Sequence, residues 1–394
     1  MKNLLKDSFP WAPTLNTSRP SMSKNIFWYV VIIISVSIIA FVVFSIYRLK
    51  SIIVVPNQPL VVPTSVLPTP TPDPDREFSI LLLGYAGANH DGGGLTDSIM
   101  LANVRPHEQK VSLISIPRDL WVELPVGTSA PTFSKINAAF VFGNDDKRYP
   151  NKPVEFTGPA GGGQIVKSIV SSITAKPVDY FLAIDFAGFT KVIDQLGGID
   201  LKITRPFEDK YYPIDIGATD VCGKSIEEIT ALTATMSGDK LDQQFSCRYE
   251  LLKFNVGTTH IDGVTALKFA RSRHSEYDGG DFNRGNRQRQ VILAVKDKVI
   301  SLNIFNKIIP IMNTLSYHVR TDMPLDKMEE FISKSTDFSK YKVSSVSLND
   351  KNVLLQGFQN KQSVLIPTGG VNQFAEISQY ILDQQTATSS SLSK

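Results

Sequence analysis

Between Ile26 and Tyr47 the chain reads IFWYVVIIISVSIIAFVVFSIY, 22 residues without a charged side chain. A bilayer core of about 30 Å needs about 20 apolar helical residues, so this run predicts one transmembrane helix over 26–47. Trp28, Tyr29 and Tyr47 stand near its ends, where amphipathic rings settle at the membrane interface. The run is longer than the roughly 7–15 apolar residues of a cleaved signal peptide, and no A-x-A-like site closes it, which points to an uncleaved signal anchor. Lys2, Lys6, Arg19 and Lys24 against Asp7 precede it, and Arg48 and Lys50 follow, so the charge balance favours a cytoplasmic tail over 1–25. The next stretch, 48–77, carries Pro56, Pro59, Pro63, Pro68, Pro70, Pro72 and Pro74 between Thr and Ser residues. Such a stretch predicts an extended extracytoplasmic linker of about 3.1 Å per residue, reaching roughly 80 Å.

From Phe78 the pattern becomes that of a folded body. FSILLLG (78–84) predicts a buried strand, and IMLANV (99–104) and VSLISI (111–116) predict two more joined as a hairpin. Apolar residues at 165, 166, 169, 170 and 173 have helical spacing. DYFLAI (179–184) predicts a strand, and 186–196 a helix stopped by Gly197-Gly198. Residues 264–270 read as helix or strand, and 287–300 as a strong helix. Strands and helices mix throughout, so the fold class is α/β (mixed α+β), a central sheet flanked by helices. A C-terminal α/β extension is expected over 321–385, with a disordered tail at 386–394.

Composition narrows the function classes. The 394 residues hold 41 Lys+Arg and 38 Asp+Glu, and the six bases of residues 1–50 face a single acid, so the body is close to neutral. Nucleic acid is not an implied partner. Two cysteines exclude a dense disulfide scaffold and a cysteine-rich zinc module.

Four stretches carry candidate chemistry. GYAGANHDGGGLTD (84–97) is a glycine-rich loop or a plain surface turn; Asp91 and Asp97 flank it and suit a hard, oxygen-preferring cation. GPAGGGQ (158–164) precedes a helix and reads either as an anion-binding N-terminus or, better, as a flexible connection. SIPRD (115–119) presents Arg118 and Asp119 after a strand, either as a site or as a surface ion pair. ARSRHSEYDGGDFNRGNRQRQ (270–290) holds Arg271, Arg273, Arg284, Arg287 and Arg289. Arg271 and Arg273 share a face if extended, and Arg284 and Gln288 share a helix face at i, i+4. Arginine forks bind phosphate oxygens bidentately, so the pattern points to a phosphate or pyrophosphate site. A nucleic-acid patch and a bland charged face are the alternatives, and Glu276, Asp278 and Asp281 argue against the first.

In order and spacing, GLTDSIMLANV, VSLISIPRDLWVELP, KINAAF, VIDQLGGIDL, IDGVTALKFARSRH and DFNRGNRQRQVI resemble the LytR-CpsA-Psr family over roughly 78–300. The resemblance implies a membrane-anchored bacterial enzyme with an extracytoplasmic catalytic domain, here 78–320. Such an enzyme moves a glycopolymer from a polyprenyl-pyrophosphate carrier to a peptidoglycan hydroxyl, with Mg²⁺ (Mn²⁺ as a substitute). The implied partners are the lipid-linked glycan, the peptidoglycan acceptor and membrane lipid. By resemblance Asp97 is a metal ligand. Arg118, Arg271, Arg273, Arg284 and Gln288 bind the pyrophosphate, with Arg118, Arg271 and Arg273 also catalytic. Asp119 acts as base or orients Arg118, the second being favoured. The family often has Asp just after the first strand's Gly, where this chain has Tyr85-Ala86, leaving His90 or Asp91 to complete the metal site. Oxygen preference favours Asp91. A pyrophosphate hydrolase and a non-catalytic wall-binding protein are the rival readings. An extracytoplasmic location makes Cys222 and Cys247 an expected disulfide, against two separate buried thiols.

Overall fold

The computed structural model describes residues 52–57, 76–87, 92–127, 130–214, 219–275, 279–302, 311–312, 314–334 and 338–391. The predicted transmembrane helix, the cytoplasmic tail, most of the linker and Asp91 lie outside them. Among the described residues no helix is long and apolar enough to cross a membrane.

The strands are β1 (Phe78–Tyr85), β2 (Thr96–Arg105), β3 (Lys110–Ser115), β4 (Trp121–Leu124), β5 (Thr132–Lys135), β6 (Tyr180–Asp185), β7 (Ile199–Ile203), β8 (Phe207–Pro213), β9 (Tyr249–Phe254), β10 (Gly257–Ile261), β11 (Val319–Thr321), β12 (Lys342–Ser347), β13 (Leu354–Gln359) and β14 (Gln362–Pro367). The helices used below are α1 (Ala139–Asn144), α2 (Gly161–Thr174), α3 (Phe186–Gln195), α4 (Ile226–Thr235), α5 (Gly263–Arg271), α6 (Asp281–Leu302), α7 (Leu325–Lys334) and α8 (Ala375–Ser391).

The central sheet has the order β11-β6-β1-β2-β3-β12. β1 is parallel to β6, and β12 is parallel to β3. The β1/β2, β2/β3 and β6/β11 pairs are antiparallel, so the sheet is mixed, with helices on both faces. Strand alternation divides its side chains. Leu81, Leu83, Leu101, Ile114 and Phe181 bury against Ile165, Ile169 and Ile173 of α2 and Ile377 and Ile381 of α8. Met100, Ala102 and Leu113 face Ile292 and Leu293 of α6. A second apolar cluster joins α3, α5 and α6 to the β7/β10 and β8/β9 ribbons through Ile193, Leu201, Phe254, Phe269 and Val291.

Several expectations are corrected. GPAGGGQ is not a flexible connection: Gly161–Gly163 form the buried first turn of α2. A Cβ on Gly163 would stand 2.2 Å from the Phe181 ring, so glycine lets α2 lie close on β6. Residues 52–57, read as free linker, dock on the body. Ile52 is buried, and the Val54 amide donates to the Thr321 carbonyl at 2.8 Å. Apolar Ile52 and Val54 contribute more by burial than as a solvated tether. Within 321–385, the stretch expected as a C-terminal α/β extension packed on the domain, β12 completes the central sheet beside β3 and α8 packs on the core. Residues 386–391, read as disordered tail, continue α8, whose apolar face is already anchored and whose Gln385 amide donates to buried Asn103. Residues 264–270, read as helix or strand, belong to α5, which Arg271 ends, and α6 begins at Asp281, six residues before its expected start.

Candidate functional site

A cavity of about 580 Å³ opens between the α6 face of the sheet and helices α3, α5 and α6. Most of its lining is apolar, with Leu82, Leu182 and Ile184 from the sheet and Phe189, Val192, Leu267 and Val295 from the helices. Its mouth is polar and is formed by Asp97, Arg118, Arg271, Arg273, Arg284 and Gln288. Residues spread over 192 positions of the chain therefore meet at one opening.

Local structure explains each placement. In the β1/β2 ladder Gly84 pairs with Ser98 and Tyr85 with Thr96, leaving Asp97 as an extra residue on β2. A bulge of this kind re-aims side chains, and both Asp97 and Ser98 line the cavity. Arg118 follows β3, where Pro117 ends strand pairing; its Nη1 donates to Asp97 Oδ1 at 2.5 Å. Arg271 closes α5 and lies over the Phe186 ring, 4.6 Å from its centroid. A stacked guanidinium keeps its edge donors free for a ligand while its face is held. Phe186 is itself placed by Asp185, which caps α3 by accepting from the Gly188 amide at 2.7 Å. Arg284 and Gln288 both reach the cavity from successive turns of α6, and Arg284 is buried.

Asp209, which sequence patterning did not single out, and Arg287, which it counted in the arginine cluster without a role of its own, hold this mouth together. Asp209, fully buried on β8, accepts from the Ser272 hydroxyl and from the His274 amide at 3.2 Å. Arg287 is also buried and donates to the carbonyls of Phe269 and Ser272. A carboxylate and a guanidinium thus both hold segment 269–274 and fix Arg271 and Arg273. Tyr212 lines the same wall; burial pushes its phenol up, against the opposing pull of Arg271, so it stays protonated. Asp209 and Tyr212 lie in the stretch 207–255, which shares no quoted motif.

Asp119 is not among the side chains of this cavity. It faces a neighbouring polar cleft, accepts from Lys135 at 2.6 Å and stands 3.4 Å from Arg118 Nε. Lys135, the first residue of KINAAF, is the signal that sequence patterning left without a role. Asp97, Arg118, Asp119 and Lys135 form one chain of alternating charge.

On the expected cation, Tyr85 turns its ring into the core, 5.3 Å from the Phe140 ring, while Ala86 lines the cavity without a donor. Among the described residues the cavity's carboxylates are Asp97, Asp185 and Asp209. The last two are engaged by a helix cap and by Ser272, and Asp97 is paired with Arg118 through one oxygen. Mg²⁺ keeps most of its waters and needs only one or two carboxylates beside substrate phosphates, so Asp97 at an arginine-lined mouth fits such an ion. The two cysteines lie elsewhere: Cys222 and Cys247 are bonded to each other with Cα atoms 5.5 Å apart, in the segment between β8 and β9.

Curated relatives share this chain's sequence. The polyisoprenyl-teichoic acid–peptidoglycan teichoic acid transferase TagV of Bacillus subtilis (strain 168) is 26% identical over 281 residues, 71% of this chain and 58% of its own length. A TagU of the same description from Halalkalibacterium halodurans is 28% identical over 256 residues, 65% of this chain and 64% of its own. The chain thus spans about three fifths of the length of these relatives. The crystal structure of B. subtilis TagV has the same fold, with a TM-score of 0.52 at 23% identity, covering 79% of this chain and 97% of that one. TagT bound to LIIa-WTA gives a TM-score of 0.51 at 20% identity, covering 80% and 92%. The LytR_cpsA_psr family description itself matches residues 59–369, which contain the whole cavity and its arginines. The chain belongs to the LytR-CpsA-Psr family.

Proposed function

We propose that this protein transfers a glycopolymer from a polyprenyl-pyrophosphate carrier to a hydroxyl of peptidoglycan. The observation that carries this reading is one cavity that joins an apolar lining to an arginine-lined mouth. An isoprenoid tail belongs in the first and a pyrophosphate at the second. The relatives named as teichoic acid transferases support it. A membrane anchor at 26–47 would keep the domain on the surface that holds the carrier.

The acceptor hydroxyl attacks the sugar-bearing phosphorus. A new phosphorus–oxygen bond forms, the bond to the bridging oxygen breaks, polyprenyl phosphate leaves and the hydroxyl proton is released. Arg118, Arg271 and Arg273 stabilise the charge that develops on the phosphoryl oxygens. Arg284 and Gln288 orient the head group, and Asp119 holds Arg118 rather than meeting the substrate. Mg²⁺ held by Asp97 would neutralise further charge on the pyrophosphate when bound. No nucleophilic side chain is required.

The test is a transfer assay with a detergent-solubilised polyprenyl-pyrophosphoryl glycan, Mg²⁺ and a peptidoglycan-derived acceptor. Polyprenyl phosphate should appear only when acceptor is present. Arg271→Ala should lower turnover by about 100-fold or more, the cost of removing one contact to developing charge. Inorganic or polyprenyl phosphate formed equally without acceptor would instead mark a hydrolase. Wild-type protein that binds no polyprenyl pyrophosphate would sink the reading.

A further inference from the structure

Building on the transfer reaction and the anchor proposed above, we infer that residues 52–54 are positioning residues, a docked strap that ties the wall of the apolar cavity to the membrane anchor on a tether of four residues. The proline-rich stretch that follows is then a loop on the body and not the tether.

The strap is a strand by its hydrogen bonds. The Thr321 amide donates to the Ile52 carbonyl at 3.0 Å, the Val54 amide donates to the Thr321 carbonyl at 2.8 Å, and Ile53 and Thr321 form a parallel bridge. Residues 52–54 thereby cover the outer edge of β11, which the central sheet otherwise leaves unpaired. That edge is firmly held from its other side. The Thr321 hydroxyl donates to the Phe181 carbonyl at 2.5 Å, and buried Asp322 accepts from the Phe181 amide at 2.7 Å and from Lys167 at 2.6 Å. Ile52 is 1% exposed and Val54 8%, so the two side chains enter the body on either face of the sheet. Ile52 packs with Leu315 and Val319 and against Leu182, Ile184 and Val192. The last three line the apolar cavity, so the strap backs its wall directly. Downstream, the Asn57 amide group donates to the Thr157 hydroxyl at 2.9 Å.

Chain length supplies the second step. The predicted membrane helix ends at Tyr47, and only residues 48–51 separate it from the strap. Fully extended they span at most about 14 Å. Residues 58–75 leave the body at docked Asn57 and return to it at Arg76, which pairs with Asp179 at 2.6 Å. A segment with both ends on one body adds nothing to the distance between that body and the membrane. The reach of roughly 80 Å expected from the proline-rich stretch is therefore spent within the domain. The cavity's size gives the short tether a purpose. At the ~25 Å³ per carbon of an apolar cavity that just holds benzene, about 580 Å³ takes about 23 carbons, fewer than the ~40 of an octaprenyl tail. The rest of a carrier's tail stays in the bilayer, because water disfavours it. A cavity that shares one tail with the bilayer has to be held at its surface.

The test places the same ~20-residue Gly/Ser insert, about 25 Å in r.m.s. length, at one of two sites in the full chain. One site lies between Lys50 and Ser51, the other between Val66 and Leu67. The chains are reconstituted in nanodiscs that contain a polyprenyl-pyrophosphoryl glycan. Energy transfer is read from a dye on exposed Phe358→Cys to a lipid dye, beside the transfer rate and the Kd of octaprenyl pyrophosphate in detergent. The insert after Lys50 should lower energy transfer. It should also slow transfer from the embedded carrier by about tenfold, the fall in effective concentration when four tether residues become ~24. The detergent Kd should not change, which separates positioning from damage to the cavity. The insert after Val66 should change none of the three. Ile52→Asp, whose carboxylate cannot stay among Leu315 and Val319, should behave as the insert after Lys50 and should expose the Val54 amide to hydrogen exchange. Equal effects of the two inserts would make the proline-rich stretch the tether and overturn the strap. Energy transfer unmoved by either insert, or a chain that leaves the nanodisc, overturns it as well, and each of these leaves the transfer reaction standing. Site-dependent energy transfer in a protein that makes no transfer product keeps the strap and removes the reaction.

Discussion

At the scale of single residues the mouth is organised by a division between groups that meet the ligand and groups that hold them. Arg118 has both relations, to Asp97 on the cavity and to Asp119 behind it. Arginine's planar fork serves two oxygens at once, which a lysine cannot reproduce. Arg118→Lys and Arg118→Ala are therefore both expected to lose about 100-fold or more in turnover. Asp119→Asn keeps its shape and loses only the charge that engages Lys135 and Arg118, so a loss of about tenfold is expected from one weakened charged contact. Single-turnover rates with bound carrier, alongside thermal melts, check this. Equal losses for Asp119→Asn and Arg118→Ala would give Asp119 a role in proton transfer instead. The arginines were legible as a phosphate cluster because lysine is almost absent around them. Asp209 was not, because a buried carboxylate that serves two backbone-proximal donors has no spacing to a partner 63 residues away.

At the scale of elements, what could be read were the periodic elements and the apolar runs: β1 and β6 bury alternate positions, α2 buries a helical stripe, and β2 and β3 bury continuous apolar runs. What could not be read were features set by non-local pairing. β12 joins β3 across 232 positions, and the bulge that aims Asp97 depends on which residue of β1 stands opposite. The glycines of α2 were misread because glycine disfavours a helix interior, a cost of roughly 1 kcal/mol against alanine. Here close approach decides. A Cβ at 163 would stand 2.2 Å from Phe181, and one at 161 would stand 2.3 Å from the Phe156 carbonyl oxygen. Gly163→Ala gains helix propensity but overpacks the α2–β6 contact, which costs about 1–3 kcal/mol. The net expectation is destabilisation, read as a lower urea midpoint with unchanged slope. A higher midpoint would mean that α2 can move off the sheet at little cost.

At the scale of the molecule the segment between β8 and β9 is joined to the core mainly at its base. Its helix α4 buries no residue, although a Ser225–Glu228 capping box starts it. Its base is closed by the β8/β9 ladder and by the Ile214 amide donating to the Arg248 carbonyl at 2.9 Å. Within it, Arg248 lies over Phe245 and donates to the Asp220 carbonyl at 2.6 Å, next to the Cys222–Cys247 bridge. A bridge with a sequence separation of 25 contributes about 3 kcal/mol in the chain-entropy model if its loop unfolds with the whole domain. A segment with few buried contacts opens on its own, and then only part of that sum reaches the global transition. The double variant Cys222→Ser/Cys247→Ser is therefore expected to lose amide protection and gain protease cleavage within 214–248. Its global unfolding free energy should fall by clearly less than the full ~3 kcal/mol, and its polyprenyl pyrophosphate affinity should hold. The affinity arm has a physical ground: the clamp on Arg271 runs through Asp209 at the start of β8, where Phe207 and Phe254 pack independently of the bridge. Hydrogen exchange, limited proteolysis and denaturant unfolding on the same samples decide it. A full-sized global loss with weakened binding would show that the segment folds as one unit with the cavity wall.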